Sequence, residues 1–184
     1  MVSGDLTPMN PDVVIFMGSD SDWSVMARAA AVLEEFGVTH EAIVSSAHRT
    51  HDRTVRLAKR FTARGTRVFI AGAGAAAHLA GALAAVTPRP VIGVPLASSP
   101  LAGLDSLLST AQMPSGVPVA CTAIGEAGAR NAAILAVQIL ALSDRRLKGR
   151  LESYRKALER EVVAKDSRLQ RERRQSATRG KVKA

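Results

Sequence analysis

The stretch DVVIFMGSDSDWSVMARAAAVLEEFG, residues 12–37, decides the fold class. Its first seven residues form a continuous apolar run that ends in Gly18, which is typical of a buried strand. Residues 23–37 then place apolar side chains along one helix face and end at Gly37, a common helix stop. A buried strand followed at once by an amphipathic helix is the repeating unit of α/β domains.

The same pairing of strand and helix recurs four times along the chain. The predicted pairs are residues 40–46 with 52–65, 66–72 with 75–86, 90–96 with 101–112, and 116–122 with 126–142. Five such units predict a parallel sheet, and their nearly unbroken apolar strands indicate that helices cover both faces. We therefore predict a three-layer α/β/α, doubly wound domain. A final amphipathic helix, at about residues 146–161, leads into the C-terminal tail.

The length of 184 residues and the 47% hydrophobic content predict one domain rather than two. We assign residues 1–11 to an N-terminal extension and residues 12–164, with the final helix, to a single α/β domain. Residues 165–184 form a basic tail, expected to be mobile or a helical extension. The tail holds eight basic and two acidic residues, so it supplies most of the chain's net charge of +9.

The composition also limits the class of partner and the cellular compartment. Aromatic residues make up only 3% of the chain, so the basic tail lacks stacking platforms and no specific nucleic-acid partner is predicted. The single cysteine, Cys121, cannot form an internal disulfide, and no signal-peptide pattern opens the chain. No apolar run approaches the ~20 residues of a membrane helix. We expect a soluble cytoplasmic protein.

Ligands of doubly wound sheets bind beyond the carboxyl ends of the strands, so the loops there are the candidate site. The loop GSDSD, residues 18–22, follows the first strand. Ser19 and Ser21 offer hydroxyl groups beside the free N–H groups of a helix start, which favours an anion such as phosphate. Asp22 suits sugar hydroxyls, although Ser21 or Asp22 could instead serve only as a helix N-cap.

The loop SSAHRTHD, residues 45–52, follows the second strand. The guanidinium of Arg49 is suited to phosphate, and histidine is the residue type that exchanges protons near neutrality. Because His48 adjoins Arg49 at a strand end, we favour a functional role for it over a structural one. His51 and Asp52 fit the first turn of the next helix, with exposed side chains.

The loop AGAGAAAH, residues 71–78, matches the dinucleotide motif G-x-G-x-x-A at Gly72, Gly74 and Ala77. The match is in the third unit rather than the first, and no acidic residue follows about 20 positions later, as the motif requires. We interpret the glycines instead as allowing backbone to approach a flat ligand. The next residue, His78, lies in an apolar helical pattern and is predicted to be a core histidine.

Several motifs together resemble those of the N5-carboxyaminoimidazole ribonucleotide mutase family, also described as phosphoribosylaminoimidazole carboxylase catalytic subunits. They are MGSDSDW, SSAHRT, AGAGAAAHLAG, GVPL, GLDSLLSTAQMPSGVPVA and AIGEAGARNAAILAVQIL, spread over residues 12–142. The resemblance implies a flavodoxin-like fold and no metal or organic cofactor. It also implies a homo-octamer with sites near subunit boundaries, to which the Ala-rich helix at 127–142 would offer a packing surface.

The resemblance also implies roles for individual residues, with His48 as the catalytic acid and base. The residues assigned to the substrate phosphate and ribose are Ser19, Ser21, Asp22 and Arg49, and those assigned to the imidazole base are Ser46, Ala73 and Gly74. This sequence departs from the family pattern at Ala75, where a Gly is usual, and at Ala80 and His51, where Pro is usual.

The implied reaction moves a carboxylate from the exocyclic nitrogen of an aminoimidazole ribonucleotide to its ring carbon, within purine (IMP) biosynthesis. Three alternatives remain open at this stage. A direct carboxylase of aminoimidazole ribonucleotide has closely similar loops. A non-catalytic flavin or nucleotide carrier would use the same phosphate loop without needing His48, and a nucleic-acid partner would engage the basic tail.

Overall fold

The computed structural model describes residues 10–182, with side-chain surroundings for residues 10–174. Residues 1–9 of the predicted N-terminal extension and residues 183–184 of the predicted tail lie outside the described residues. The strands are β1 Val13–Met17, β2 His40–Val44, β3 Val68–Gly74, β4 Val91–Leu96 and β5 Ala120–Cys121. The helices are α1 Trp23–Glu35, α2 His51–Ala63, α3 Leu79–Ala84, α4 Leu104–Ala111, α5 Glu126–Ala141 and α6 Arg145–Val182.

The five strands form one parallel sheet in the order β2-β1-β3-β4-β5. The order reverses at β1, where the chain steps to β2 on one side and to β3 on the other. This is the strand order of flavodoxin-like folds, which bind ligands where the order reverses. The predicted parallel, doubly wound α/β architecture is confirmed.

Helices cover both faces of the sheet. Val13 and Ile15 of β1 point into a core shared with α1, α5 and the start of α6. Val14 and Phe16 point into a second core shared with α2 and α3. Because side chains alternate across a strand, all five residues of β1 are buried, which explains the continuous apolar run in the sequence.

Two strands differ from their predictions. Strand β2 was predicted as a buried strand, but within the described residues it pairs only with β1 and lies at the sheet edge, where all five of its residues are exposed or half-buried. Strand β5 was predicted over residues 116–122 but pairs only through Ala120 and Cys121. Pro118 has no N–H group to donate to the ladder, which limits this strand to a short edge pairing.

The helices also differ from prediction at three places. Helix α3 begins at Leu79, four residues later than predicted, which leaves residues 75–78 in a loop. The Ala-rich face of α5 does not serve as an outer packing surface, because its alanines are buried inside this chain. Helix α6 does not end near residue 161 but continues through Val182, so most of the basic tail is helical.

Up to residue 174, where side-chain burial is described, the beginning of α6 packs against the domain and the rest does not. Leu147 and Leu151 are buried, whereas Leu158, Val162 and Leu169 further along are exposed. No helix within residues 10–182 combines the length and apolar content that crossing a membrane requires.

Candidate active site

The loops that follow β1, β2, β3 and β4 enclose a cavity of about 360 Å³ at the carboxyl edge of the sheet. All eight residues predicted to form the site line it: Ser19, Ser21, Asp22, Ser46, His48, Arg49, Ala73 and Gly74. Five further residues complete the wall: Gly18, Ala47, Ala76, Leu79 and Ser98. A volume of this size is in the range of small-ligand pockets.

The loop after β1 is a capped helical turn. Ser19 is the N-cap of a single 3-10 turn, Asp20–Asp22, and its backbone N–H donates to Asp22 Oδ2 at 3.0 Å. The hydroxyl of Ser21 donates to Ser19 Oγ at 2.9 Å. Ser19 therefore caps this turn, and Asp22 stands at the N-cap position of the helix α1 that follows but forms no side-chain cap hydrogen bond to it.

Asp22 is half-buried against the cavity. Burial raises the pKa of its carboxyl group, while backbone N–H groups of Ser19 and Gly18 and the charge of Arg49 act in the opposite direction. A carboxylate with incomplete solvation at a cavity wall is suited to accept hydrogen bonds from ligand hydroxyl groups.

The loop after β2 is fixed by local hydrogen bonds of threonine hydroxyl groups. The hydroxyl of Thr50 donates to the carbonyl of Ser46 and accepts from the backbone N–H of Ser46, each at 3.0 Å. Below it, the hydroxyl groups of Ser45 and Thr54 are buried and lie 2.8 Å apart. These bonds hold the backbone that presents His48 and Arg49 to the cavity.

Arg49 joins the first two loops. Its Nη2 donates to the carbonyl of Gly18 at 2.9 Å, and its backbone N–H donates to Ser46 Oγ at 3.2 Å. The guanidinium group therefore lies between the β1 turn and the β2 loop. Its remaining N–H groups give the cavity a positive end beside the hydroxyl groups of Ser19 and Ser21.

The prediction that His78 is a core histidine is wrong. Because α3 begins at Leu79, the residue after His78, the side chain of His78 is exposed and turns toward the loop after β2. Its Nδ1 lies 2.8 Å from His48 Nε2, and the two rings meet edge to face at 84°. The alanine run before it fits a helix equally well, so periodicity placed the helix start too early.

The glycines of β3 serve packing within the protein. A Cβ on Gly74 would lie 1.7 Å from the hydroxyl oxygen of Ser98, and one on Gly72 would lie 2.5 Å from the sulfur of Met26. The space of both missing side chains is thus filled by the chain itself, while Gly74 also lines the cavity. The loop that follows contains Ala75 in the left-handed region, with φ of 49°.

The other two departures from the family pattern are accommodated without distortion. Ala80 is buried in α3, and His51 is the exposed first residue of α2. Ser98 is a site residue that sequence reasoning missed, although the pair of serines directly after β4 was a usable signal. Its hydroxyl group faces the cavity and forms no hydrogen bond within the described chain.

Comparisons with known proteins agree with this geometry. Residues 12–161 match the model of a family described as AIR carboxylase. N5-carboxyaminoimidazole ribonucleotide mutase of Brucella melitensis is 54% identical over 159 residues, 86% of this chain and 98% of that protein. The Escherichia coli K12 protein of the same name is 52% identical over 151 residues, 82% of this chain and 89% of its own length.

A solved structure supports the same assignment. The crystal structure of Treponema denticola PurE matches with a TM-score of 0.78 at 30% identity, covering 85% of this chain and 97% of that one. The fold, the family model and the two relatives therefore agree over most of the sequence, and the chain belongs to the AIR carboxylase family.

Proposed function

We propose that this chain is an enzyme, an isomerase that converts N5-carboxyaminoimidazole ribonucleotide into 4-carboxy-5-aminoimidazole ribonucleotide in purine (IMP) biosynthesis. The observation that carries the proposal is the shared cavity, in which His48 and Arg49 stand beside the hydroxyl-rich β1 turn. The names of the Brucella and Escherichia relatives supply the substrate.

The positive end of the cavity binds the ribonucleotide phosphate. Arg49 contributes its guanidinium group, and Ser19 and Ser21 contribute hydroxyl groups from the capped turn. Asp22 accepts hydrogen bonds from the ribose hydroxyl groups. Charge-assisted hydrogen bonds of this kind are the stronger ones in proteins, so this end supplies much of the affinity.

The imidazole base lies between the β2 loop and the end of β3. Ser46 contacts it on one side, and Ala73 and Gly74 form a flat wall on the other. These small side chains leave room for carbon dioxide beside the ring. Keeping carbon dioxide in the cavity turns its recapture into an effectively intramolecular step.

His48 moves the protons of the reaction. As the bond between the exocyclic nitrogen and the carboxylate breaks, His48 gives a proton to that nitrogen and carbon dioxide is released. The ring carbon then attacks carbon dioxide, and His48 takes the proton that this carbon loses. His48 thus regains the proton that it gave. Acid and base catalysis of this kind increases the reaction rate by about 10²- to 10⁴-fold.

Direct carboxylation of aminoimidazole ribonucleotide by carbon dioxide is a second candidate, since the matching family model is described as AIR carboxylase. Its second step is the same proton loss from the ring carbon, so the same cavity serves it. The mutase is preferred because relatives at 54% and 52% identity carry that name.

The decisive experiment gives the purified protein each substrate in turn. We expect conversion of the N5-carboxylated substrate without added bicarbonate, and no transfer of label from ¹³C-bicarbonate into the product during fast turnover. Conversion only of aminoimidazole ribonucleotide with bicarbonate would identify a carboxylase. No conversion of either substrate would favour a non-catalytic carrier, which should copurify with an absorbing nucleotide or flavin.

We propose that the protein works in the cytoplasm as a homo-octamer, as its family resemblance implies. Exposed apolar side chains support an assembled state, since Leu101 before α4 and Leu104 and Leu108, one turn apart on α4, are each more than half exposed in the single chain. Light scattering at micromolar concentration should give an octamer mass, and a monomer mass would contradict it.

Residues 12–164 are proposed to be the complete catalytic unit. Beyond residue 164 the helix α6 is exposed along its described length. A chain truncated after Ala164 should keep its assembly and its turnover. Loss of either would show that the basic tail contributes to them.

A further inference from the structure

The outer part of α6 carries a high positive charge that the proposed reaction does not use. Helix α6 runs over Arg145–Val182, whereas the family model ends at residue 161, so its outer half is additional to the family domain. Residues 165–184 contain eight basic and two acidic residues. Every side chain of residues 155–174 is exposed, and none of them lines the cavity of the candidate active site. This segment therefore needs an explanation of its own.

Packing at the base of α6 decides which side of the helix is turned outward. Leu147 and Leu151 are buried against the domain. At 3.6 residues per turn, Leu158, Val162 and Leu169 continue the same line, so all five side chains fall within a sector of about 60° around the helix axis. We call this line the apolar stripe. The side of α6 opposite the stripe is turned away from the domain.

The side opposite the apolar stripe is basic. At 3.6 residues per turn, four basic side chains fall within about 60° of one another and about 180° from the stripe. They are exposed and form the basic face of α6: Lys156, Arg160, Arg171 and Arg174. The five acidic residues among residues 152–174 all stand at other angles around the helix. The basic face is therefore uninterrupted by negative charge.

Two acidic side chains of this part of the helix are engaged beside the basic face rather than on it. Lys165 Nζ lies 2.6 Å from a carboxylate oxygen of Glu161, one turn earlier. The side-chain amide of Gln170 donates to Asp166 Oδ1 at 3.2 Å, again within about one turn. These pairs lie on the flanks of the helix, so they leave the charge of the basic face in place.

We propose that the basic face of α6 binds the phosphate backbone of nucleic acid without regard to its base sequence. The face spans about 27 Å along the helix, about the length of eight base pairs of duplex DNA. Basic side chains on such a line neutralise phosphates and release their counterions, which drives sequence-independent binding. Residues 155–184 contain no aromatic side chain on which a base could stack. The proposal goes beyond the proposed function and does not depend on it.

The composition of the segment favours nucleic acid over the other large anionic partners. A helix that lies on a membrane surface needs a face of several large apolar residues, but residues 165–184 contain only Leu169 and Val182. Binding to an acidic protein is usually anchored by aromatic residues, which this segment lacks. A phosphate backbone needs neither feature, because charge alone supplies the affinity.

The first measurement titrates the full-length protein against a fluorescein-labelled DNA duplex of about 20 base pairs, which is longer than the basic face. Fluorescence anisotropy should give a Kd between about 10⁻⁶ and 10⁻⁴ M at physiological salt, and tighter binding at about 50 mM salt. Two duplexes of unrelated sequence should bind within about 3-fold of each other, because only phosphates are contacted.

Removing the charge of the basic face should weaken the salt dependence. A single variant that combines Arg160→Gln, Arg171→Gln and Arg174→Gln loses three phosphate contacts on each helix that is engaged. Each contact contributes about 0.9 to the slope of log K against log salt, so the slope should become smaller in magnitude by about 2.7. Binding at about 50 mM salt should weaken by at least about 10-fold.

The matched control combines Arg155→Gln, Lys165→Gln and Arg173→Gln. It removes the same charge from the same helix, but these residues stand on the side of the apolar stripe. Its slope should change by less than about 1. Circular dichroism should show wild-type helix content in both variants, which separates lost contacts from a lost helix.

The remaining outcomes each contradict a part of the proposal. Equal losses in the two variants would show that net charge acts without the basic face. Absence of duplex binding by the wild type, duplex binding that survives in the basic-face variant, or binding to phosphatidylserine vesicles alone would exclude the nucleic-acid partner. Turnover should be the same in the wild type and both variants. A wild type that converts neither ribonucleotide substrate would contradict the proposed function and leave this inference intact.

Discussion

The two halves of the cavity are built by different means. The loops after β1 and β2 are held by hydrogen bonds between residues close in sequence, such as Ser19 to Asp22 and Thr50 to Ser46. The loops after β3 and β4 are held by contacts between distant residues, with Ser98 in the space above Gly74 and His78 against His48. They also contain the two non-glycine residues with positive φ in the described chain, Ala75 and Ala102.

This difference in construction suggests that the two halves of the cavity have different roles. We propose that the first half is a preformed receptor for an anion, because local hydrogen bonds fix its hydroxyl and guanidinium groups. The second half places His78 against His48 and limits the volume of the cavity through close packing. Substitutions in the first half should therefore act on binding, with His48 as the exception, and those in the second half on turnover, pocket fit and backbone strain.

The largest expected effect is at His48, which stands where the halves meet. His48→Asn keeps a polar amide but cannot exchange a proton. Its kcat should fall about 10²-fold or more while substrate affinity stays within a few-fold. Calorimetric titration and single-turnover rates measure the two quantities. A variant within about tenfold of wild-type kcat would remove His48 from the mechanism.

Arg49→Ala should have the next largest effect, on binding. Losing charge-assisted hydrogen bonds to a phosphate costs about 1.5–3 kcal/mol, which corresponds to a rise in KM of roughly 10- to 100-fold. Arg53→Ala is the matched control, because Arg53 lies in the first turn of α2, four residues after Arg49, but does not line the cavity. Equal KM values in the two variants would contradict the placement of the phosphate.

Ser98→Ala should show a smaller effect from the second half. Its hydroxyl has no partner within the described chain, so removal should leave the melting temperature unchanged while KM rises about 2- to 10-fold, the cost of one neutral hydrogen bond. Ser99→Ala is the contrast. The hydroxyl of Ser99 donates to Asp105 at 2.7 Å and lowers the pKa of that carboxyl group, so its loss should lower the melting temperature first. The reverse pattern would exclude Ser98 from substrate contact.

The smallest expected effect is on stability at Ala75. Alanine in the left-handed region costs about 1–2 kcal/mol of backbone strain, which glycine would relieve. Glycine also raises the conformational entropy of the unfolded chain, so the net stabilisation by Ala75→Gly should be about 0.5–1 kcal/mol. Ala102 has nearly the same φ, 50°, so Ala102→Gly should stabilise the protein by a similar amount. Urea unfolding measures both changes. Destabilisation at Ala75 alone would show that its methyl group fills needed space beside the cavity.

The sequence predicted the architecture because its signals are local. A continuous apolar strand is stable only where both faces of the sheet are covered. The run Val13–Met17 of β1 therefore predicts two covering layers, whichever helices form them. The strand ends also located Ser19, His48, Arg49 and Gly74, since the carboxyl ends of parallel strands share one edge. Edge position is not a local signal, so the exposure of β2 and the short pairing of β5 were not predicted.

The sequence by itself thus determined the fold class, and the eight residues predicted from it and from the family resemblance are among the thirteen that line the cavity. Only the tertiary structure decided which side chains touch one another there. Nothing near His78 distinguishes a buried histidine from one that meets His48, because alanine is compatible with either helix or loop at 75–77. The shift of the start of α3 to Leu79 turns His78 out of the core, and the order of β1 and β3 in the sheet brings its loop to within hydrogen-bonding distance of His48.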